Sequence, residues 1–127
     1  MQDKVTFEYA IIRLVPKVER EEFFNIGVIL FSKRKKFLDI KYHISLNKLK
    51  AFAPELELDV LNAYLNAWKL ICDGNPFGGK IGEFEISDRF RWLAACRSTM
   101  IQSSKTHAGL CTHPEKEIAY LFEKYVL

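Results

Sequence analysis

Between Arg89 and Gln102 the chain carries groups suited to holding an anion. Arg89, Arg91 and Arg97 offer guanidinium forks, and Ser98, Thr99 and Gln102 offer hydroxyls and an amide. They are interleaved with Phe90, Trp92, Leu93 and Ile101, residues that belong in a core. A buried arginine without a partner is costly, so each must be paired, solvated or waiting for an anion. A phosphorylated residue, a nucleotide phosphate or a partner carboxylate all match the fork. The structural alternative is pairing with Glu83, Glu85, Asp88 or carboxylates of the C-terminal helix, and such ion pairs are the commoner fate of arginines. Trp92 beside them is an aromatic of the kind that anchors interfaces.

Arg13 interrupts the apolar face of the first strand-like segment, and Asn25 with Gly27 falls on the other face of the second. Arg13 and Asn25 could line one cleft. Structurally, Gly27 suits a bulge or close backbone approach, Arg13 a strand end and Asn25 a loop cap. Lys33-Arg34-Lys35-Lys36 could meet nucleic-acid phosphates, but alternation places Phe31, Phe37 and Tyr42 mostly in the sheet, so stacking is weak. A charged hairpin tip that keeps the chain soluble explains it better.

Cys96, His107, Cys111 and His113 are metal-ligand types, but their spacing lacks the pairs of a structural zinc site, and no metal or cofactor is expected. Cys111 stands just before a helix start, which lowers a thiol pKa, with His107 four residues back. That leaves a small Cys/His enzyme as a minor reading, without a third orienting group. Phe77–Gly82 lacks phosphate-loop spacing and reads as a flexible linker.

These groups must be positioned by a recognisable set of elements. Val5 to Val15 alternates, with Val5, Phe7, Tyr9, Ile11 and Val15 on one face, and Pro16 stops it. Phe23 to Ser32 is a second strand with Phe24, Ile26, Val28 and Leu30 on its core face. Phe37 to Ile44 is a third, with Leu38, Ile40, Tyr42 and Ile44 inward. Four charges between the last two make a hairpin, so the three strands form a meander. Leu46, Leu49 and Ala53 predict a short helix ending at Pro54. Leu58, Leu61, Leu65, Trp68 and Cys72 form the stripe of a longer helix ending at Asp73-Gly74. Phe84-Glu85-Ile86 suggests a short strand before a helical turn carrying Phe90 and Leu93. Ser98 to Ser103 reads as a strand or extended loop. Thr112-His113-Pro114-Glu115 reads as a capping box opening an amphipathic C-terminal helix with Ile118, Leu121, Phe122 and Tyr125.

The fold class is therefore α+β: an N-terminal antiparallel meander packed against helices, in one domain spanning 1–127. A chain of 127 residues, 49% hydrophobic, can bury one core without disulfides. Its net charge of +3 is too mild for a dedicated nucleic-acid binder. Three cysteines without a CxxC pair point to reduced thiols and a cytoplasmic protein. No leader-like segment opens the chain, and the apolar runs are too short for a membrane helix.

Three blocks, Tyr9-Ala10-Ile11-Ile12-Arg13, Glu22 to Val28, and Arg91-Trp92-Leu93 with Arg97-Ser98 and Gln102, together resemble a bacterial family. It is the one catalogued as domain of unknown function 3037, and the resemblance covers nearly the whole chain. Ala95-Cys96 stands before Arg97 where that family's pattern has a proline. The resemblance carries no activity and no catalytic residues. It implies an association with HipA-like kinases, hence a kinase partner or accessory role. The expectation is a non-catalytic protein-binding domain that uses the Arg91–Gln102 segment. The alternative is nucleic-acid or nucleotide binding through Arg89, Arg91, Arg97 and the 33–36 hairpin tip.

Overall fold

The computed structural model describes residues 3–17, 20–95 and 100–127. Strands β1 (Val5–Leu14), β2 (Phe24–Ser32) and β3 (Phe37–Tyr42) pair antiparallel in sequence order, the meander that alternation predicts. The β2–β3 turn closes through Lys36 N–H donating to Lys33 O at 3.1 Å, with Lys36 at φ 52°. That left-handed backbone costs a non-glycine residue about 1 kcal/mol.

Next come α1 (Leu46–Phe52), α2 (Leu58–Asp73), a 3-10 turn at Pro76–Gly78, the one-turn α3 (Gly79–Gly82) and α4 (Ile86–Ala94). The chain finishes with β4 (Ile101–Ser103), β5 (His107–Cys111) and α5 (Pro114–Tyr125). Ser45 Oγ caps α1 by accepting from Lys48 N–H at 3.3 Å. Of the α2 stripe Leu61, Leu65, Trp68 and Cys72 are buried and Leu58 is half-buried, and the helix stops at Gly74, whose φ of 66° suits glycine. Lys69 fastens α2 to the sheet by bridging Asp39 of β3 and Asp73 at 2.5 and 3.2 Å.

β1 is central. It pairs with β2 on one edge, and on the other with β4 at Ile12–Leu14 and β5 at Val5–Tyr9. Between β4 and β5 the edge bulges, and Ser104 carries the ladder across. Its N–H donates to Ile11 O at 2.8 Å, while its Oγ accepts from Ile11 N–H at 2.9 Å and donates to Lys105 O at 2.9 Å. A buried hydroxyl thus satisfies a backbone donor that the bulge strands.

Both sheet faces are covered. Ala10, Ile12, Leu14, Ile29 and Phe31 pack in the core shared with α1, α2 and α4, and Val5, Phe7, Ile11, Val28 and Leu30 pack under α5. The single core face expected for β2 is corrected by a bulge. Ile12 stands opposite Gly27 but Arg13 opposite Asn25, so Ile26 is the extra residue and joins Ile29 and Phe31. Gly27 is required there, since a Cβ would lie 2.8 Å from Lys41 O.

Four local expectations are corrected. The Phe77–Gly82 linker is instead the 3-10 turn and α3, tucked so closely that a Cβ on buried Gly82 would lie 2.9 Å from Asn75 O. Phe84-Glu85-Ile86 is no strand, because Ile86 begins α4 and Phe84 is exposed. The α5 N-cap is His113, not Thr112, and no side chain caps it, although Pro114 does occupy the first turn. His107–Cys111 is a strand, which the sequence reading did not anticipate. Among the described residues no helix is long and apolar enough to cross a membrane.

Candidate binding site

The α4 arginines do not converge on an anion. Arg89 Nη1 donates to Ile71 O and Cys72 O, both at 2.9 Å, so its cation closes the C-terminus of α2. Arg91 grips Glu8 of β1 with two parallel bonds of 2.9 and 2.8 Å, and that hydrogen bonding raises the guanidinium pKa. The structural alternative therefore holds for both, but with other partners than expected: backbone carbonyls for Arg89 and a strand carboxylate for Arg91. Trp92, 37% exposed, sits on the α4 surface. Arg97, Ser98, Thr99 and Cys96 lie outside the described residues.

The thiol expectation is reversed. Cys111 is buried, and burial first, then Glu117 and Glu115, pushes its pKa up rather than down. His107 lies on the same strand four residues away, roughly 13 Å along β5. Its ring packs at a tilt against Tyr9 instead, with centroids 5.3 Å apart. Among the described residues no three His, Cys, Asp or Glu side chains gather as a metal site.

The fold does bring Arg13, Asn25 and Gln102 together. In register, Arg13 faces Asn25 on β2 and Gln102 on β4. Ile12, Leu14 and Ile101 are in the α1–α4 core, so alternation turns Arg13 and Gln102 to the α5 side. Asn25 is on that side too, donating through Nδ2 to Tyr125 O at 3.1 Å and fastening the end of α5. That contact replaces the expected loop cap. The three polar side chains make a row across β4, β1 and β2, beside the C-terminus of α5.

Arg13 is held in an unfavourable way. Its guanidinium lies 4.3 Å from the centroid of Phe23, a ring 50% exposed, while its Nε is buried with no hydrogen-bond partner among the described residues. The cation–π contact at an exposed ring contributes about 0.5–1 kcal/mol. An unmet buried donor costs about 1–3 kcal/mol. The cation–π contact therefore does not offset the unmet donor among the described residues.

Aromatic rings flank the row. Tyr9 and Tyr125 stack at 6.5 Å, and burial, followed by the hydrogen bond with Tyr125, raises the Tyr9 pKa. His107 is exposed, and Lys124 lies over Tyr125 at 5.3 Å. The sequence singles out Arg13, Asn25, Gln102 and His107, which lie near one another here, but not Phe23, Tyr9 and Tyr125 as their neighbours. The four-residue spacing of Tyr9 and Arg13 on one strand was the available signal, because it places both on one face.

Residues 9–126 match the family model described as a protein of unknown function, DUF3037, so the chain belongs to that family. No curated protein and no solved structure matches it.

Proposed function

We propose that this DUF3037 member is a non-catalytic domain that binds another protein in the cytoplasm, with a HipA-like kinase as the candidate partner. The observation that supports this reading is Arg13: stacked on exposed Phe23, with a buried Nε donor unmet among the described residues, and flanked by Asn25 and Gln102. A carboxylate or main-chain carbonyl from a partner would meet the outer end of this guanidinium and cover Phe23. Arginine and tyrosine are the residues that dominate interface energetics, and Tyr125 and His107 extend the same surface. The contact surface is thus moved from the α4 arginines to the row on β1. The kinase itself rests on the family resemblance alone, which is an associational argument.

The test is affinity purification of the tagged protein from its host with nuclease present, beside an Arg13→Ala variant of verified fold. A kinase-like protein recovered in near-stoichiometric amount by wild type and lost by the variant supports the reading. Retention of no protein, or equal retention by Arg13→Ala, refutes it.

A further inference from the structure

On the opposite face of the sheet, away from the Arg13 row, the ladders part. The β1–β2 pairing ends at Glu8–Phe31, yet β1 runs on to Val5 against β5, while β2 turns off through Lys33–Lys36. Ser32 Oγ donates to Thr6 O at 3.0 Å where the two ladders fork. The fork opens a cavity of about 520 Å³ walled by Lys4, Thr6, Glu8, Phe31, Lys33 and Arg34. That volume suits a small organic molecule.

Its electrostatics are one-sided. Lys4, Lys33 and Arg34 form no ion pair among the described residues. Glu8, the carboxylate in this wall, is already neutralised by the two-bond grip of Arg91. Three cations without an ion pair among the described residues therefore surround a concavity with an apolar floor, with Asp3 beside Arg34 the nearby carboxylate outside it, a geometry that focuses positive potential. We infer that this fork is a binding site for a small phosphate monoester, held by Lys4, Lys33 and Arg34. A single nucleic-acid strand fits less well, because it needs exposed aromatic platforms and Phe31 and Phe7 are 4% and 5% exposed. The Arg91–Glu8 pair has a role here beyond joining α4 to β1: it removes the charge that would repel the ligand.

The test is an amide-resolved NMR titration of the full chain with inorganic phosphate, with adenosine monophosphate and with a short single-stranded DNA. Shifts at Thr6 and Phe31–Arg34 are expected to saturate with both phosphate probes at concentrations on the order of 1 mM. Lys33→Gln with Arg34→Gln, both exposed and with an unchanged spectrum elsewhere, should weaken binding at least about tenfold, on the scale of removing two charged contacts. Glu8→Gln should tighten it several-fold by deleting the carboxylate and releasing Arg91. Three results overturn the assignment: no saturation by either phosphate probe up to about 20 mM, equal affinity in the double variant, or a response to DNA alone.

Discussion

Replacing Arg89 by methionine separates a structural arginine from a ligand-binding one. Methionine keeps most of the aliphatic stem, so packing between α4 and α2 is largely retained, and the guanidinium alone is deleted. Lost are two charge-assisted bonds to Ile71 O and Cys72 O and a cation at the C-terminal end of the α2 dipole. Each bond contributes about 1.5 kcal/mol or more, and the dipole term about 0.5 kcal/mol. The gross loss is then about 3.5 kcal/mol. Against this, the variant also removes Arg89 Nε, buried and without a hydrogen-bond partner among the described residues, whose relief returns about 1–1.5 kcal/mol. The net destabilisation is about 2 kcal/mol. With a urea m-value of about 1.5 kcal/mol/M for a chain of this size, the unfolding midpoint should fall by about 1.3 M. Circular dichroism at matched protein concentration reads this directly. An Arg89→Met midpoint within about 0.3 M of wild type would refute the capping argument and return Arg89 to the pool of candidate ligand contacts.

Ser104→Ala should cost about 1–3 kcal/mol, because Ile11 N–H is left buried without its acceptor. Hydrogen exchange at Ile11 should speed up, and unaltered protection there would show that the bulge closes without the hydroxyl. The raised Tyr9 pKa means the folded state holds that proton longer than the unfolded chain. Its stabilisation is therefore complete below the unfolded phenol pKa near 10 and lost as pH rises through the folded value. The gap between the urea midpoints of wild type and Tyr9→Phe should accordingly hold below about pH 10 and shift against wild type above it, and a constant gap on both sides of about pH 10 contradicts the assignment. Cys111, buried and with its pKa raised, should alkylate well below the rate of a free cysteine in peptide-resolved labelling. Labelling at the free rate would reopen the nucleophile reading.

The meander was legible because Val5–Tyr9 and Phe37–Ile44 alternate, and the α2 stripe because leucines recur at helical spacing. Gly27 was legible as a bulge or close approach: it is the close approach, and the bulge's extra residue is its neighbour Ile26. The strand β5 was not, because His107-Ala108-Gly109-Leu110-Cys111 has little intrinsic strand preference. What makes it a strand is the open edge of β1, which is tertiary information. The arginines failed for a related reason. Local spacing offered Glu83, Glu85 and Asp88, but Arg91 finds Glu8 from 83 residues away, and Arg89 finds main-chain carbonyls that no residue type advertises. Arg13 and Asn25 could be suspected of sharing a cleft. Their direct pairing depends on the extra residue at Ile26, and without that bulge Arg13 would face Ile26 instead.

The central place of β1 has a consequence for how the chain is made. β1 leaves the ribosome first among these strands and soon finds β2, with β3 on the far side of β2, but its other edge belongs to β4 and β5, roughly 90 residues later, or about 5–20 s of synthesis. Through that interval a long apolar strand presents unpaired amides and carbonyls to its surroundings. Any extended segment can dock there, including the β1 of a neighbouring nascent chain. Translation that stalls after α4 should therefore yield aggregates rather than a folded fragment. Slowing or trapping synthesis in that window is where the protein is most exposed to chaperones and to misassembly.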